Sequence, residues 1–202
     1  MLRRRLPLAQ PLSSHLARLR ERLAVHQPSP GHTDDLLRWA AVAVVLVPSP
    51  DAVLLIRRAE RAGDPWSGHV ALPGGRRDPE DADLVATAIR ETREEVGLPL
   101  TRKDLLGGLD DVIPRVPVLP PIAVRPFVFA LAQRPPLVPN PEVAAVRWIP
   151  LDHLLHPETY HSARLEIRGK PRDVPAYRLI DEAIVWGMTE RILTSLLDHL
   201  RA

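Results

Sequence analysis

The segment from Gly74 to Leu98 constrains this chain more than any other. A glycine turn, Pro73-Gly74-Gly75, precedes a helical period over 82–96, and Gly97 stands where a C-cap belongs. At about 3.6 residues per turn, Glu91, Glu94 and Glu95 fall at i, i+3 and i+4, so three carboxylates share one helix face. Val85, Ile89, Thr92 and Val96 form a second stripe that can face a core.

The acids occupy the final turns, where the macrodipole is negative and each costs roughly a few tenths of a kcal/mol. Like charges at i,i+4 add to that cost. Arg90 can offset part of it through Glu94, and Arg93 can add more, but neither accounts for three acids together. A divalent cation does, because carboxylate oxygens are hard ligands suited to Mg²⁺ or Mn²⁺. The competing explanation is a solvated acidic helix end. The glycine turn favours a site, since it lets backbone approach a ligand and presents amides near the start of the following helix. Turn and helix together read as a phosphate-plus-metal site.

Around this segment the periodicities predict a helix over 12–25, carrying Leu12, Leu16, Leu19 and Leu23 at helical spacing. Strands follow at 39–47 and 52–56, joined by the turn Pro48-Ser49-Pro50-Asp51, then a loop over 57–69 and a short run at 70–72. Further strands are expected at 105–113, 122–131 and 143–149, separated by proline-rich links over 114–121 and 135–141. Segments 165–168 and 176–179 read as a hairpin around Gly169-Lys170-Pro171. A terminal helix over 182–200 places Ile184, Met188, Ile192, Leu196 and Leu200 on one face. With 202 residues, no internal repeat and no break in composition, the expectation is one α+β domain spanning 1–202.

Composition removes several classes of function. The absence of cysteine excludes a disulfide scaffold, thiolate zinc, iron–sulfur clusters and a cysteine nucleophile. It fits a reducing compartment, read here as cytoplasmic with an organellar matrix as the alternative. With 27 Lys+Arg against 25 Asp+Glu, no nucleic-acid partner is expected. The longest apolar stretch, 40–47, is too short to span a bilayer, so no membrane partner is expected. The opening Met1-Leu2-Arg3-Arg4-Arg5-Leu6 lacks the apolar region of a secretory signal, and the helix behind it reads as a packing helix rather than a transit segment. The oligomeric state is left open.

Arg90-Glu91-Thr92-Arg93-Glu94-Glu95-Val96-Gly97-Leu98 resembles the Nudix hydrolase family, whose box reads G-x5-E-x7-R-E-U-x-E-E-x-G-U with U apolar. Thr92 stands at an apolar position, Asp81 stands where the family usually has Glu, and one extra residue precedes Arg90. The last two departures resemble the coenzyme A pyrophosphatase branch, whose box often begins G-G-x-x-D-x-x-D. That branch also carries L-L-T-x-R-[S/A] and G-x3-F-P-G-G. Leu54-Leu55-Ile56-Arg57-Arg58-Ala59 and Gly68-His69-Val70-Ala71-Leu72-Pro73-Gly74-Gly75 match these in part, with Arg61 nearest to the branch's internal arginine.

The resemblance implies a Nudix-type α/β/α sandwich with a mixed β-sheet and its box at 75–98. It implies metal-dependent hydrolysis of a small-molecule diphosphate, foremost coenzyme A or acyl-coenzyme A, giving 3',5'-ADP and 4'-phosphopantetheine. ADP-ribose, nucleotide sugars or dinucleotides are the alternative substrates, and a nucleotide-sensing Nudix-fold binding domain is the non-enzymatic alternative. Glu91, Glu94, Glu95 and the Gly75 carbonyl are the implied ligands of Mg²⁺ or Mn²⁺, with Arg90 orienting the glutamates. Glu94, Glu95, Arg90 and the loop acid Glu142, a candidate general base, form the expected catalytic set. Arg57, Arg58, Gly74 and Arg115 are candidate substrate contacts. Asp78 and Asp81 are expected to start or cap the helix, Trp66 to stack on a base, Trp39, Trp148 and Trp186 to lie in the core, and His69 to be structural.

Overall fold

The computed structural model describes residues 12–29, 38–63, 66–114, 122–167 and 169–201. Its layering follows from strand β1 (Arg38–Val47), which is apolar on both faces of its pleat and buried along most of its length. Val44 and Leu46 join one core with helices α1 (Ser14–Val25) and α4 (Gly187–Arg201). Ala41, Ala43 and Val45 join a second core with α2 (Leu84–Val96). Two alanines on the strand and Ala88 on the helix keep that second interface thin, so α2 lies close to the sheet. The result is an α/β/α sandwich.

One edge of β1 pairs in parallel with β6 (Ile122–Ala130), from Arg38 opposite Ile122 to Leu46 opposite Ala130. Two strands share the other edge. β2 (Ala52–Arg58) takes its C-terminal end through the turn at 48–51, and β4 (Gly74–Arg76) takes its N-terminal half. β3 (Val70–Ala71) and β7 (Val143–Pro150) pair with β2, and β5 (Leu105–Gly108) lies beyond β6, which completes a mixed seven-stranded sheet. The short helix α3 (Leu151–Leu155) follows β7. A second antiparallel sheet contains β8 (Tyr160–Ile167), β9 (Lys170–Arg178) and β10 (Ile184–Trp186).

Several expected boundaries are corrected. The terminal helix does not begin at 182: Ile184, Val185 and Trp186 form β10 against Arg178, Tyr177 and Ala176. Their β-branched and aromatic side chains suit a strand once β9 offers a free edge, and Gly187 at φ 70° separates strand from helix. The buried stripe of α4 is accordingly Glu190, Ile192, Leu193, Leu196 and Leu197. The hairpin around Gly169 is longer than expected, and Leu165 faces Arg172, whereas Ala176 faces His161. The strand expected over 105–113 stops at Gly108, and Val112 returns only as an isolated bridge to Val124. Gly107 lies directly under α1, where a Cβ would come within 2.9 Å of Leu23 Cβ. β2 runs on through Arg57 and Arg58, because Arg57 finds partners in both Val70 and Ala145. α3 was not anticipated; a helix of about one turn leaves too little periodicity to read.

The expectations placed on residues 1–6, on Asp64 and Pro65, and on Arg115 with the rest of the proline-rich link lie outside the described residues. Among the described residues no helix is long and apolar enough to cross a membrane.

Leu16 and Leu19 of α1 are fully buried. Replacing Leu19 with alanine is expected to lower unfolding stability by about 2–4 kcal/mol through the cavity left behind. Urea denaturation should show this as a lowered midpoint with an unchanged slope.

Candidate active site

α2 carries the acids for local reasons. Asp83 caps its start, accepting from the Ala86 amide at 2.9 Å, and Gly97 ends it in the left-handed region at φ 68°. Thr92 is tolerated in the core because its hydroxyl donates to the Ala88 carbonyl at 2.7 Å. On the sheet side, Glu95 is buried and the Gly74 amide donates to its Oε2 at 2.8 Å. A Cβ on Gly75 would come within 2.6 Å of the Glu91 carboxylate, and one on Gly74, at φ 151°, would strike the Ala41 carbonyl oxygen. The two glycines thus allow β4 to fit between β1 and the acidic helix face. Contrary to the expectation from sequence, the glycine turn does not offer its amides to the helix start. Because β4 pairs with β1, it is held against the second half of the helix instead. The Gly74 amide is thereby committed to Glu95 and not left for a substrate.

Arg90 organises the other acids. Its Nε and Nη2 donate to the two Asp81 oxygens at 3.0 and 2.9 Å, and its Nη1 donates to Glu91 Oε1 at 2.9 Å and Glu94 Oε2 at 3.1 Å. Nη2 also reaches the Arg76 carbonyl at 3.1 Å. Asp81 is buried and accepts further bonds from the Asp78 amide and the Thr87 hydroxyl, each at 2.9 Å. The Arg90 guanidinium holds the Asp81 carboxyl well below the usual carboxylate range, helped by these two donors against the cost of burial. Asp81 therefore does not cap the helix, and neither does Asp78, whose Oδ1 accepts from the Glu80 amide. Asp83 has that position, which leaves Asp81 facing inward as the anchor of Arg90.

Glu95 is the opposite case. Burial pushes its carboxyl up to about 7, the charges of Glu91 and Glu142 push the same way, and the Gly74 amide and Arg58 oppose them. Burial also raises Glu91, against the pull of Arg90. Glu94 is half-exposed. Glu142, also half-exposed, pairs with Arg61 at 3.0 Å, and its backbone carbonyl accepts from the Ala59 amide at 2.8 Å. That bond places it at the end of β2, next to Arg58. Of the predicted residues, Glu91, Glu94, Glu95, Arg90, Gly74 and Gly75 thus converge, Arg58 and Glu142 lie on the rim, and the Arg57 side chain is exposed.

The donor chemistry fits a hard divalent cation: carboxyls raised by burial and mutual repulsion, beside a crevice that any Cβ at Gly75 would fill. Among the described residues, no three acidic or histidine side chains are already gathered around one point. Arg90 holds Glu91 and Glu94 while Glu95 is turned to Gly74. Recruiting Glu94 to an ion therefore means exchanging its bond to Arg90.

Three pairings escaped the sequence. Asp81 with Thr87 and Arg90 had a readable signal, a buried acid six and nine residues ahead of a hydroxyl and an arginine on one helix face. Arg61 with Glu142, and Arg125 with Asp111, had none. Two of the tryptophans are corrected as well: Trp39 and Trp186 are only half-buried, at strand ends, whereas Trp148, half-buried on the edge strand β7, packs against the second core. Arg125 lies over the Trp39 ring at 5.2 Å, and Trp186 meets the His69 ring edge-on at 4.9 Å. Trp66 is half-buried in the loop after β2, its carbonyl accepting from the His69 amide.

Residues 37–168 match the NUDIX domain. The chain belongs to the Nudix hydrolase family. It is 33% identical over 175 residues to the Nudix hydrolase NudL of Photorhabdus laumondii, spanning 86% of this chain and 91% of that relative. To NudL of Cronobacter sakazakii it is 34% identical over 185 residues, spanning 90% and 92%. The fold is similar to that of a MutT/nudix family protein from Enterococcus faecalis, with a TM-score of 0.59 at 14% identity over 95% of this chain and 76% of that one. It is also similar to a bifunctional NMN adenylyltransferase/ADP ribose pyrophosphatase from Francisella tularensis, with a TM-score of 0.56 at 18% identity over 92% and 47%. As a Nudix hydrolase the protein acts on nucleoside diphosphate-linked substrates and needs a divalent metal ion.

The raised Glu95 carboxyl has a consequence for stability. A raised acid favours the folded state most below its ordinary value near 4.5, and that contribution is lost as pH climbs through about 7. In chelator, Glu95→Gln is therefore expected to exceed the parent protein in stability at pH 8 by on the order of 1–3 kcal/mol. The two should converge near pH 5, as followed by urea denaturation at both pH values.

Proposed function

We propose that this Nudix hydrolase cleaves the diphosphate bridge of coenzyme A or an acyl derivative, releasing 3',5'-ADP and 4'-phosphopantetheine. Residues 1–202 serve as one hydrolase unit in this reading, and the setting is cytoplasmic. Glu91, Glu94, Glu95 and the Gly75 carbonyl are the proposed ligands of Mg²⁺ or Mn²⁺. The observation that carries the assignment is the burial of Glu95 beside Glu91 against the glycine strand, with the Gly74 amide as its hydrogen-bond donor. Support for the coenzyme comes from the two segments that resemble its branch. They pair side by side, Ile56 opposite Ala71 and Arg57 opposite Val70, with the Arg58 amide donating to the His69 carbonyl at 2.9 Å.

A bound divalent cation supplies neutralisation of the diphosphate oxygens and a more acidic water. The protein's own part is positioning and proton handling. Arg90, locked by Asp81, holds Glu91 and Glu94 from one side, and the Gly74 amide fixes Glu95 from the other. Glu142 is the proposed general base; its charge is felt at Glu95, and Arg61 holds its carboxylate at the rim. Arg57 and Arg58, at the end of β2, are the proposed contacts for substrate phosphates.

Chromatography of products from coenzyme A, ADP-ribose, a nucleotide sugar and a dinucleotide, with Mg²⁺ or Mn²⁺, tests the substrate. Coenzyme A is expected to turn over fastest; brisk hydrolysis of ADP-ribose with none of coenzyme A overturns the choice. Glu94→Gln and Glu95→Gln are each expected to cut turnover by roughly a hundredfold or more. Near-normal rates in both would remove the proposed ligand roles.

A further inference from the structure

A proline-rich strap crosses the last turn of α2. Pro135, Pro136, Pro139 and Pro141 restrict its backbone, and Asn140, placed just before Pro141, is disfavoured from helical geometry. The strap satisfies two carbonyls that the helix end leaves without an intrahelical partner. The Val138 amide donates to Val96 and the Asn140 amide to Glu95, each at 2.9 Å. Gly97 makes the crossing close, since a Cβ there would lie 3.1 Å from Val138 Cβ.

The strap then turns into β7, and Asn140 closes the turn. Its Oδ1 accepts from the Glu142 amide at 2.8 Å, and its carbonyl accepts from the Val143 amide at 3.1 Å. An asparagine side chain bonded to the backbone two residues on fixes a turn of this kind. One residue thereby joins the backbone of Glu95, the buried acid, to the backbone of Glu142.

Glu142 itself is held at each of its polar groups. Its amide goes to Asn140, its carbonyl accepts from the Ala59 amide at 2.8 Å, and its carboxylate accepts from Arg61 at 3.0 Å. The strand behind it is adjusted as well. Arg57 faces Ala145 but Arg58 faces Val143, so Ala144 is an extra residue that resets the register ahead of the turn. Bulges of this sort re-aim side chains beside active sites. A loop acid kept only for solubility needs none of this scaffold.

We propose that Asn140 is a positioning residue for hydrolysis: anchored on the Glu95 carbonyl, it sets where the Glu142 carboxylate stands relative to the buried acids. The inference rests on the reading of Glu142 as general base and deepens it, because a base works only within reach of the water it deprotonates. Asn140 touches neither substrate nor metal in this scheme and acts through Glu142 alone.

Steady-state hydrolysis by the full chain with Mg²⁺, taking coenzyme A and ADP-ribose as separate substrates, compares Asn140→Ala, Asn140→Ser, Glu142→Gln and the double variant Asn140→Ala/Glu142→Gln. Asn140→Ala is expected to lower kcat by about tenfold while KM stays within about twofold. Asn140→Ser keeps an acceptor oxygen and adds no charge beside the acids, so it should recover most of that loss. On the background of Glu142→Gln, itself slowed by roughly a hundredfold, Asn140→Ala should cost nothing further. Hydrogen exchange followed by NMR, without substrate, should show the Glu142 amide exchanging at least about tenfold faster in Asn140→Ala, with the α2 amides unchanged. A parent-like kcat in Asn140→Ala, or losses that multiply in the double variant, overturns the positioning role and leaves Glu142 as the base. Faster exchange along α2 as well makes Asn140 a general support of the fold and also overturns it. Parent-like rates in Glu142→Gln remove the base, and the role of Asn140 with it.

Discussion

The site depends on a backbone placed where a side chain would not fit. β4 pairs with β1 on one side and meets the carboxylates of Glu91 and Glu95 on the other, and both gaps close only because residues 74 and 75 are glycine. A methyl group at either position would push the helix from the sheet or break the pairing with β1. The alanines that thin the interface between β1 and α2 serve the same closeness. Once the helix is held there, its acids are trapped between layers, and each feature of the site follows from how those charges are managed.

Two solutions coexist around one helix. Asp81 sits in the arms of Arg90 with two further donors, so burial leaves it ionised and structural. Glu95 is buried with a single amide donor and neighbouring negative charge, so it hovers between protonation states near neutrality. Burial alone would raise both; the difference is a guanidinium within hydrogen-bond reach. Arg90 cannot serve every acid equally. Its fork is spent on Asp81 first, and Glu91 and Glu94 share the remaining nitrogen. The charge left uncompensated is concentrated at Glu91 and Glu95, beside the glycine strand.

The same strands that hold the acids also shape the neighbouring surface. β1 enters the sheet at Arg38 and Trp39, and β4, paired with it, leaves at Arg76. A shift of β4 would disturb the Gly74 bond to Glu95 and the Arg76 bond to Arg90 together.

Much of this molecule was legible in one dimension. The amphipathic period of α2, its Gly97 end, the apolar run of β1 and the hairpin into β2 depend on neighbours a few residues apart, and spacing alone reveals them. The grouping of Glu91, Glu94 and Glu95 is of that kind, since a helix brings i, i+3 and i+4 together wherever it sits. What tertiary structure decided was the partner of each charge. Gly74 meets Glu95 across 21 positions, Arg125 meets Asp111 across 14, and Arg61 meets Glu142 across 81. It also turned Ile184–Trp186, inside the helix expected from 182, into a strand, because β9 had an edge to fill. The sequence by itself determined which acids share one helix face and which elements present them. Only the packed fold decided which acid is neutralised and which is left raised, because ionisation in a protein interior is set by burial and by donors that chain distance does not reveal.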